Sequence, residues 1–101
     1  MKIDILYFEG CPNAPAAFDD VREMVRELGL DAEVREIEVK TDEEAVRLRF
    51  LGSPTVRVDG VDIEPAARGR SDFSFTCRLY GNSGAIPKDL IRSFLRSVRR
   101  T

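Results

Sequence analysis

The feature that most constrains this chain is a short strand that runs through a Gly-Cys-Pro turn into an amphipathic helix. Residues 3–8 are mostly apolar and predict a buried strand. After Cys11 and Pro12, apolar residues recur at helical spacing as far as Leu28, and Gly29 predicts the end of that helix. Cys11 is therefore expected beside a helix N-terminus, where unpaired N–H groups and the helix dipole favour an anion such as a thiolate.

Length and composition predict one domain over residues 1–101. A chain of 101 residues can bury a real core without disulfides or metal, and 43% hydrophobic with 34% charged residues is ordinary for a soluble protein. The net charge of −2 gives no support for a nucleic-acid or membrane partner. No signal peptide or membrane-spanning stretch is visible, so the expected location is the cytoplasm, where free thiols stay reduced.

The chain contains no histidine, which excludes Ser-His-Asp and Cys-His catalysis and every zinc motif that uses histidine. Its two cysteines, Cys11 and Cys77, cannot fill a tetrahedral all-cysteine zinc site. We therefore expect neither a cofactor nor a resident metal.

The rest of the chain predicts an α/β fold in the order β-α-β-α-β-β-α. Residues 33–39 form a second strand, with a bulge or an edge position at Arg35-Glu36. Thr41 to Glu44 reads as a capping box that opens a short helix through about residue 50. Asp59-Gly60 predicts a two-residue hairpin turn between residues 56–58 and 61–63. After an irregular insertion at residues 64–86, Pro87 begins a last helix, which gives a four-stranded mixed sheet with helices on both faces.

The Cys-Pro turn after the first strand, with Ser53-Pro54-Thr55 just before the hairpin, resembles the thioredoxin-like superfamily. The resemblance covers nearly the whole chain. It implies that Cys11 is the nucleophile, that Pro54 follows a cis peptide bond, and that Pro12, Ser53, Pro54 and Thr55 contact the substrate. The alternative for Cys11 is a small buried residue in a member that has lost activity. Pro54-Thr55 then has two interpretations. Its backbone is exposed and pairs with an extended peptide or a glutathione-like molecule, or it is a tight turn that only shapes the fold.

The chain departs from the usual Cys-x-x-Cys motif because Ala14 stands in the place of the second cysteine. It is more similar to one-cysteine members of the superfamily. Residues 50–55, 60–65 and 77–80 look like those of small bacterial thioredoxin-like proteins, some of which carry an alkylmercury-lyase-like label. That label is a hint about thiol or metal chemistry.

Cys77 has two interpretations. It is a resolving thiol that forms a reversible disulfide with Cys11, or a small buried residue beside Phe75 and Leu79. The predicted function is that of a thiol-disulfide oxidoreductase whose partner is a thiol or disulfide, either protein or glutathione-like. The alternative is a non-catalytic module that binds a soft metal, mercury or copper, or a partner protein.

Charged residues near the proposed site are also open to two interpretations. Arginines could bind a substrate carboxylate, or they could be scattered surface charge. Asp62 and Glu64 alternate along the hairpin and are expected to face water. The arginines in question are Arg57, Arg68, Arg70 and Arg78.

Overall fold

The sheet is organised around β1 (Lys2–Tyr7), the strand that precedes the cysteine turn. It pairs in parallel with β2 (Glu33–Glu38) and antiparallel with β3 (Thr55–Val58), and β3 pairs antiparallel with the short β4 (Val61–Asp62). The order across the sheet is β2-β1-β3-β4. The computed structural model describes residues 1–99, so the last two residues of the predicted domain lie outside the described part. The predicted four-stranded mixed sheet is confirmed.

The helices also follow the predicted order along the chain. The irregular insertion holds only a single 3₁₀ turn, Pro65–Ala67, and two isolated β-bridges. The described helices are α1 (Ala14–Glu27), α2 (Asp42–Arg47) and α3 (Lys88–Arg99).

Both faces of the sheet are covered, as the mostly apolar β1 predicts. Ile3 and Ile5 point to one face, where they join the buried side chains of α1 and α3. Leu6 points to the other face and packs with Ala45 of α2 and with Phe50. A strand buried on both faces needs apolar residues in both alternating sets, and β1 supplies them.

The hairpin turn forms as the sequence predicts. Asp59 and Gly60 both have positive φ, at 49° and 85°, and Val58 pairs with Val61 across the turn. Two successive residues with positive φ give the turn whose twist matches that of the flanking strands.

The second helix is shorter than predicted. The Thr41 hydroxyl accepts a hydrogen bond from the Glu44 N–H at 3.1 Å, but the Glu44 carboxylate accepts from the N–H of Lys40 rather than from that of Thr41. The helix ends at Arg47 instead of near residue 50, and Arg49 adopts a positive φ of 57°. The side chain of Arg57 donates hydrogen bonds to the carbonyls of Leu48 and Arg49. These bonds stabilise the non-helical backbone that follows Arg47.

Candidate functional site

Cys11 lies in the turn between β1 and α1, where the sequence predicts it. Its N–H donates to the carbonyl of Phe8 at 3.2 Å, and its carbonyl accepts from the N–H of Ala14 at 3.3 Å. The helix cap is Asn13, whose side chain makes no capping hydrogen bond, so Cys11 precedes the cap rather than occupying it. Cys11 is only 5% exposed. Cys11 is thus almost completely buried.

The segment from Ser53 to Thr55 lies against this turn. The Ser53 hydroxyl accepts a hydrogen bond from the N–H of Phe8 at 3.4 Å, and the Ser53–Pro54 peptide bond is cis, as the resemblance implies. Ser53 and Thr55 are fully buried, and Pro54 is buried between them. Pro12, on the cysteine turn, is exposed.

The backbone of Ser53 is already paired within the chain. Its N–H donates to the carbonyl of Thr76 at 2.8 Å, and its carbonyl accepts from the N–H of Arg78 at 3.0 Å. These two bonds form a parallel β-bridge between Ser53 and Cys77. Pro54 and Thr55 are also buried, and the Pro54 carbonyl accepts a hydrogen bond from Tyr80 of the insertion. The interpretation of an exposed backbone at Pro54-Thr55 is therefore wrong for this conformation, because the chain's own insertion occupies that edge.

Cys77 is exposed, in contrast to Cys11, and both thiols are free. This excludes the interpretation of Cys77 as a small buried residue. It lines a surface hollow of about 210 Å³ together with Leu51 and Arg70, among others. Beside it, the ring of Phe75 packs on the ring of Phe8 with centroids 5.1 Å apart. The insertion that carries Cys77 therefore contacts the residues that lead into the Cys11 turn.

A buried arginine fixes this part of the insertion. The Arg78 side chain is 1% exposed, and its guanidinium forms two hydrogen bonds to the Asp62 carboxylate, at 2.8 and 2.9 Å. It also donates to Glu64 at 3.2 Å and to the Thr55 hydroxyl at 3.1 Å. A planar guanidinium suits such two-pronged pairing with a carboxylate. The expectation that Asp62 and Glu64 face water is therefore wrong, and so is surface charge as an account of Arg78.

The sequence carried one signal for this cluster. Asp62 and Glu64 are two residues apart at the hairpin, so their side chains share one face. Two acidic groups on one face that becomes buried need a cation, and Arg78 lies two residues before Tyr80, which is buried. The sequence does not indicate which arginine pairs with these carboxylates, because Arg78 lies 16 positions away from Asp62.

Tyr80 completes the cluster. Its hydroxyl donates to the carbonyl of Pro54 at 2.6 Å, and the Arg78 guanidinium lies 4.5 Å from the centre of its ring. Burial raises the pKa of Tyr80 well above its ordinary value, although the charge of Arg78 acts in the opposite direction. Burial alone would lower the pKa of Arg78, but the hydrogen bonds and charge of Asp62 outweigh it, with Tyr80 and Glu64 contributing, and raise that pKa.

Gly52 allows the insertion to approach this closely. It has a φ of +120°, which side-chain-bearing residues rarely adopt, and a Cβ built there would lie 2.9 Å from the Cβ of Arg78. Glycine at this position therefore serves both the backbone conformation and the contact with Arg78.

Comparisons with known proteins identify no family. No protein-family model matches this chain, and no curated protein does. Within residues 1–99, no helix has the length and apolar character needed to cross a bilayer. The same residues contain no group of three or more Cys, Asp or Glu side chains placed to hold a metal ion. Soft-metal binding by the two thiols alone stays a prediction.

Proposed function

We propose that this protein is a thiol-disulfide redox protein with a thioredoxin-like domain, in which Cys11 and Cys77 form the redox pair. The observation that carries the proposal is that the two segments bearing these thiols meet at one residue, Ser53. The hydroxyl of Ser53 contacts the turn that leads to Cys11, and its backbone pairs with the residues on either side of Cys77.

The contacts of Ser53 support this pairing of thiols across 66 positions of sequence, 77 − 11. Residues paired in a β-bridge lie at strand spacing, about 4.8 Å, so Cys77 is next to Ser53. On the other side of Ser53, Phe8 accepts the hydrogen bond from the N–H of Cys11. In the proposal, the insertion supplies the second thiol for a motif in which Ala14 replaces the usual one.

The topology supports the thioredoxin-like assignment as well. A central β1 is flanked by a parallel β2 and an antiparallel β3, with α1 and α3 on one face and α2 on the other. This is the arrangement that the resemblance implies for a cysteine turn at the end of the first strand.

The two thiols differ in exposure, and this difference determines their order in the proposed reaction. In this conformation an external disulfide can reach Cys77, whereas Cys11 is enclosed. The Cys77 thiolate attacks one sulfur of a substrate disulfide, forms a mixed disulfide and releases the first substrate thiolate. The Cys11 thiolate then attacks the Cys77 sulfur and releases the second substrate thiolate.

The electrons and protons of this cycle balance. The two protein thiols lose two electrons and two protons and become one disulfide, and the substrate disulfide gains them and becomes two thiols. An external dithiol returns the protein to its reduced form by the reverse exchange. The order, Cys77 first and Cys11 second, reverses the roles that the resemblance alone implies.

Peptide mapping after mild oxidation with an aromatic disulfide reagent tests the proposal. We expect one intramolecular Cys11–Cys77 bridge in the wild-type protein. Cys11→Ser should stop at a mixed disulfide on Cys77, and Cys77→Ser should react at least about tenfold more slowly, because its remaining thiol is buried. Absence of the bridge in a folded, fully reacted protein would refute the redox pair. Fast reaction of Cys77→Ser would instead restore Cys11 as the first nucleophile.

A further inference from the structure

A second cavity, of about 290 Å³, lies beside the hollow that Cys77 lines. The two cavities share Leu51 and Arg70 in their walls. The larger one, which we call the arginine pocket, has a wall rich in positive charge and a smaller apolar part. Its lining includes Arg49, Arg57, Arg68, Arg70, Asp62 and Phe73.

The positive charges of the arginine pocket are poorly compensated. Among residues 1–99, Arg49, Arg57 and Arg68 form no salt bridge, and only Arg70 has a carboxylate partner, Asp72. The carboxylate of Asp62 attracts Arg57, but both of its oxygens are hydrogen-bonded to Arg78, and it forms no salt bridge with the pocket arginines of the described residues.

The guanidinium groups are held in place by neutral partners. Arg57 donates to two main-chain carbonyls, and Arg68 donates to the carbonyl of Asp62 at 2.9 Å. The guanidinium of Arg49 lies 5.1 Å from the centre of the Phe73 ring. A guanidinium has five N–H donors, so each of these side chains keeps donors available for a ligand.

The charged form of Arg57 is disfavoured by its surroundings. Burial lowers the pKa of its guanidinium, and the neighbouring positive charges of Arg78 and Arg49 act in the same direction, against the attraction of Asp62 and Asp4. A partly buried cation without a carboxylate partner gains from any anion that enters the cavity.

We propose that the arginine pocket binds a small organic anion that carries at least two negative charges and an apolar or aromatic part, of the class of phosphate monoesters. Guanidinium forks match the oxygens of phosphate, and Phe73, Leu51 and Ala67 offer apolar contact to the remainder of the ligand. The volume lies at the lower end for small-molecule sites, which favours a compact ligand over a dinucleotide. This inference does not depend on the redox function.

A titration of the full-length, isotopically labelled protein with phenyl phosphate at low salt tests the site by NMR. The expected result is saturable binding, with shift changes concentrated at Gly60, Val61, Ala67 and Phe73. Inorganic phosphate, which lacks the ring, and benzyl alcohol, which lacks the charge, should each bind more weakly. Added NaCl should weaken the binding of phenyl phosphate.

Variants make the test specific to the pocket. Arg68→Gln and Arg49→Gln should each weaken phenyl phosphate binding by at least roughly fivefold, through loss of charge-assisted hydrogen bonds. Arg49→Gln is the safer variant, because this side chain makes no hydrogen bond within residues 1–99. Arg22→Gln, on α1 and paired with Glu36, is the matched control and should bind as the wild type does. Failure of phenyl phosphate to saturate the wild-type protein, or equal affinity in all three variants, would overturn the proposal.

Discussion

Arginine occupies two contrasting settings on either side of Asp62. Arg78 is buried and meets two carboxylates, a hydroxyl and an aromatic ring. Arg49, Arg57 and Arg68 border an open cavity, and within residues 1–99 none of them meets a carboxylate. The first setting has its counter-ions built into the fold, whereas these three pocket arginines form no salt bridge in the part of the chain that the structure describes.

This comparison distinguishes an arginine that stabilises the fold from arginines whose charge is available to a ligand. A buried guanidinium without its carboxylate partners would be strongly destabilising, so Asp62 and Glu64 have to be in place around Arg78 in the folded state. The pocket arginines keep contact with water and tolerate an incomplete set of partners. The following predictions test this division, beginning with the largest expected effect.

Replacing Arg78 should cost the most stability. In Arg78→Met the carboxylate of Asp62 stays buried without its partner, so we expect a loss of about 3–5 kcal/mol in the free energy of unfolding. Urea denaturation followed by circular dichroism measures it. Arg49→Met, in the arginine pocket, is the matched control and should change stability by no more than about 0.5 kcal/mol.

A second variant sharpens this result. If the cost comes from the unpaired Asp62 carboxylate, Arg78→Met combined with Asp62→Leu should recover part of the lost stability, because the more deeply buried carboxylate is then absent. The recovery is only partial, since the partly exposed Glu64 also loses Arg78. Equal stability of Arg78→Met and the wild-type protein would show that the buried cluster and the pocket do not differ in this way.

Gly52 should be the next most sensitive position. Gly52→Ala forces a side chain into a φ of +120° and a Cβ to within 2.9 Å of that of Arg78, so a loss of at least about 1–3 kcal/mol is expected. Thermal unfolding measures it. Gly69→Ala is the control, since a Cβ there meets nothing within 4 Å, and its effect should stay below about 1 kcal/mol. Similar effects of the two substitutions would argue against close packing at Arg78.

Tyr80→Phe should cause the smallest loss in the free energy of unfolding, about 1 kcal/mol, because the Pro54 carbonyl loses one hydrogen bond. Its raised pKa adds a pH dependence. The folded protein holds this proton to higher pH than the unfolded chain, so the contribution to stability is fully present below the ordinary pKa of 10.0 and is lost as the pH rises above it.

Denaturation curves between pH 9 and 11 measure this effect, and roughly that window brackets the ordinary tyrosine pKa. We expect the stability of Tyr80→Phe to fall less steeply with pH than that of the wild-type protein. Tyr7→Phe also removes a tyrosine whose pKa is raised, by slight burial and by the charges of nearby glutamates, so it should reduce the fall less than Tyr80→Phe does. A slope unchanged by Tyr80→Phe would contradict the burial of an uncharged Tyr80.

Most of the fold could be predicted because its signals are local. The stripe of apolar residues in α1 and the Asp59-Gly60 turn each depend on neighbours a few positions apart. The position of Cys11 between strand and helix follows from the same signals. The predicted end of α2 was wrong because it depends on a distant residue. Arg57, ten positions beyond Arg47, binds the carbonyls of the two residues that follow the helix.

The site was harder to predict because its contacts are long-range. Asp62 alternates along a hairpin as a solvent-facing residue would, and only the return of the insertion buries it against Arg78. The pairing of Ser53 with the residues around Cys77 has the same origin. No periodicity within the insertion specifies where it docks.

The outer strands of the sheet have a consequence for how copies of this chain meet at high concentration. At one margin, β4 is two residues long, and at the other, four of the six residues of β2 are charged: Glu33, Arg35, Glu36 and Glu38. A second chain that aligned with β2 would have to bring its own backbone beside these charges. Growth of fibrils by strand addition is thereby disfavoured at both margins.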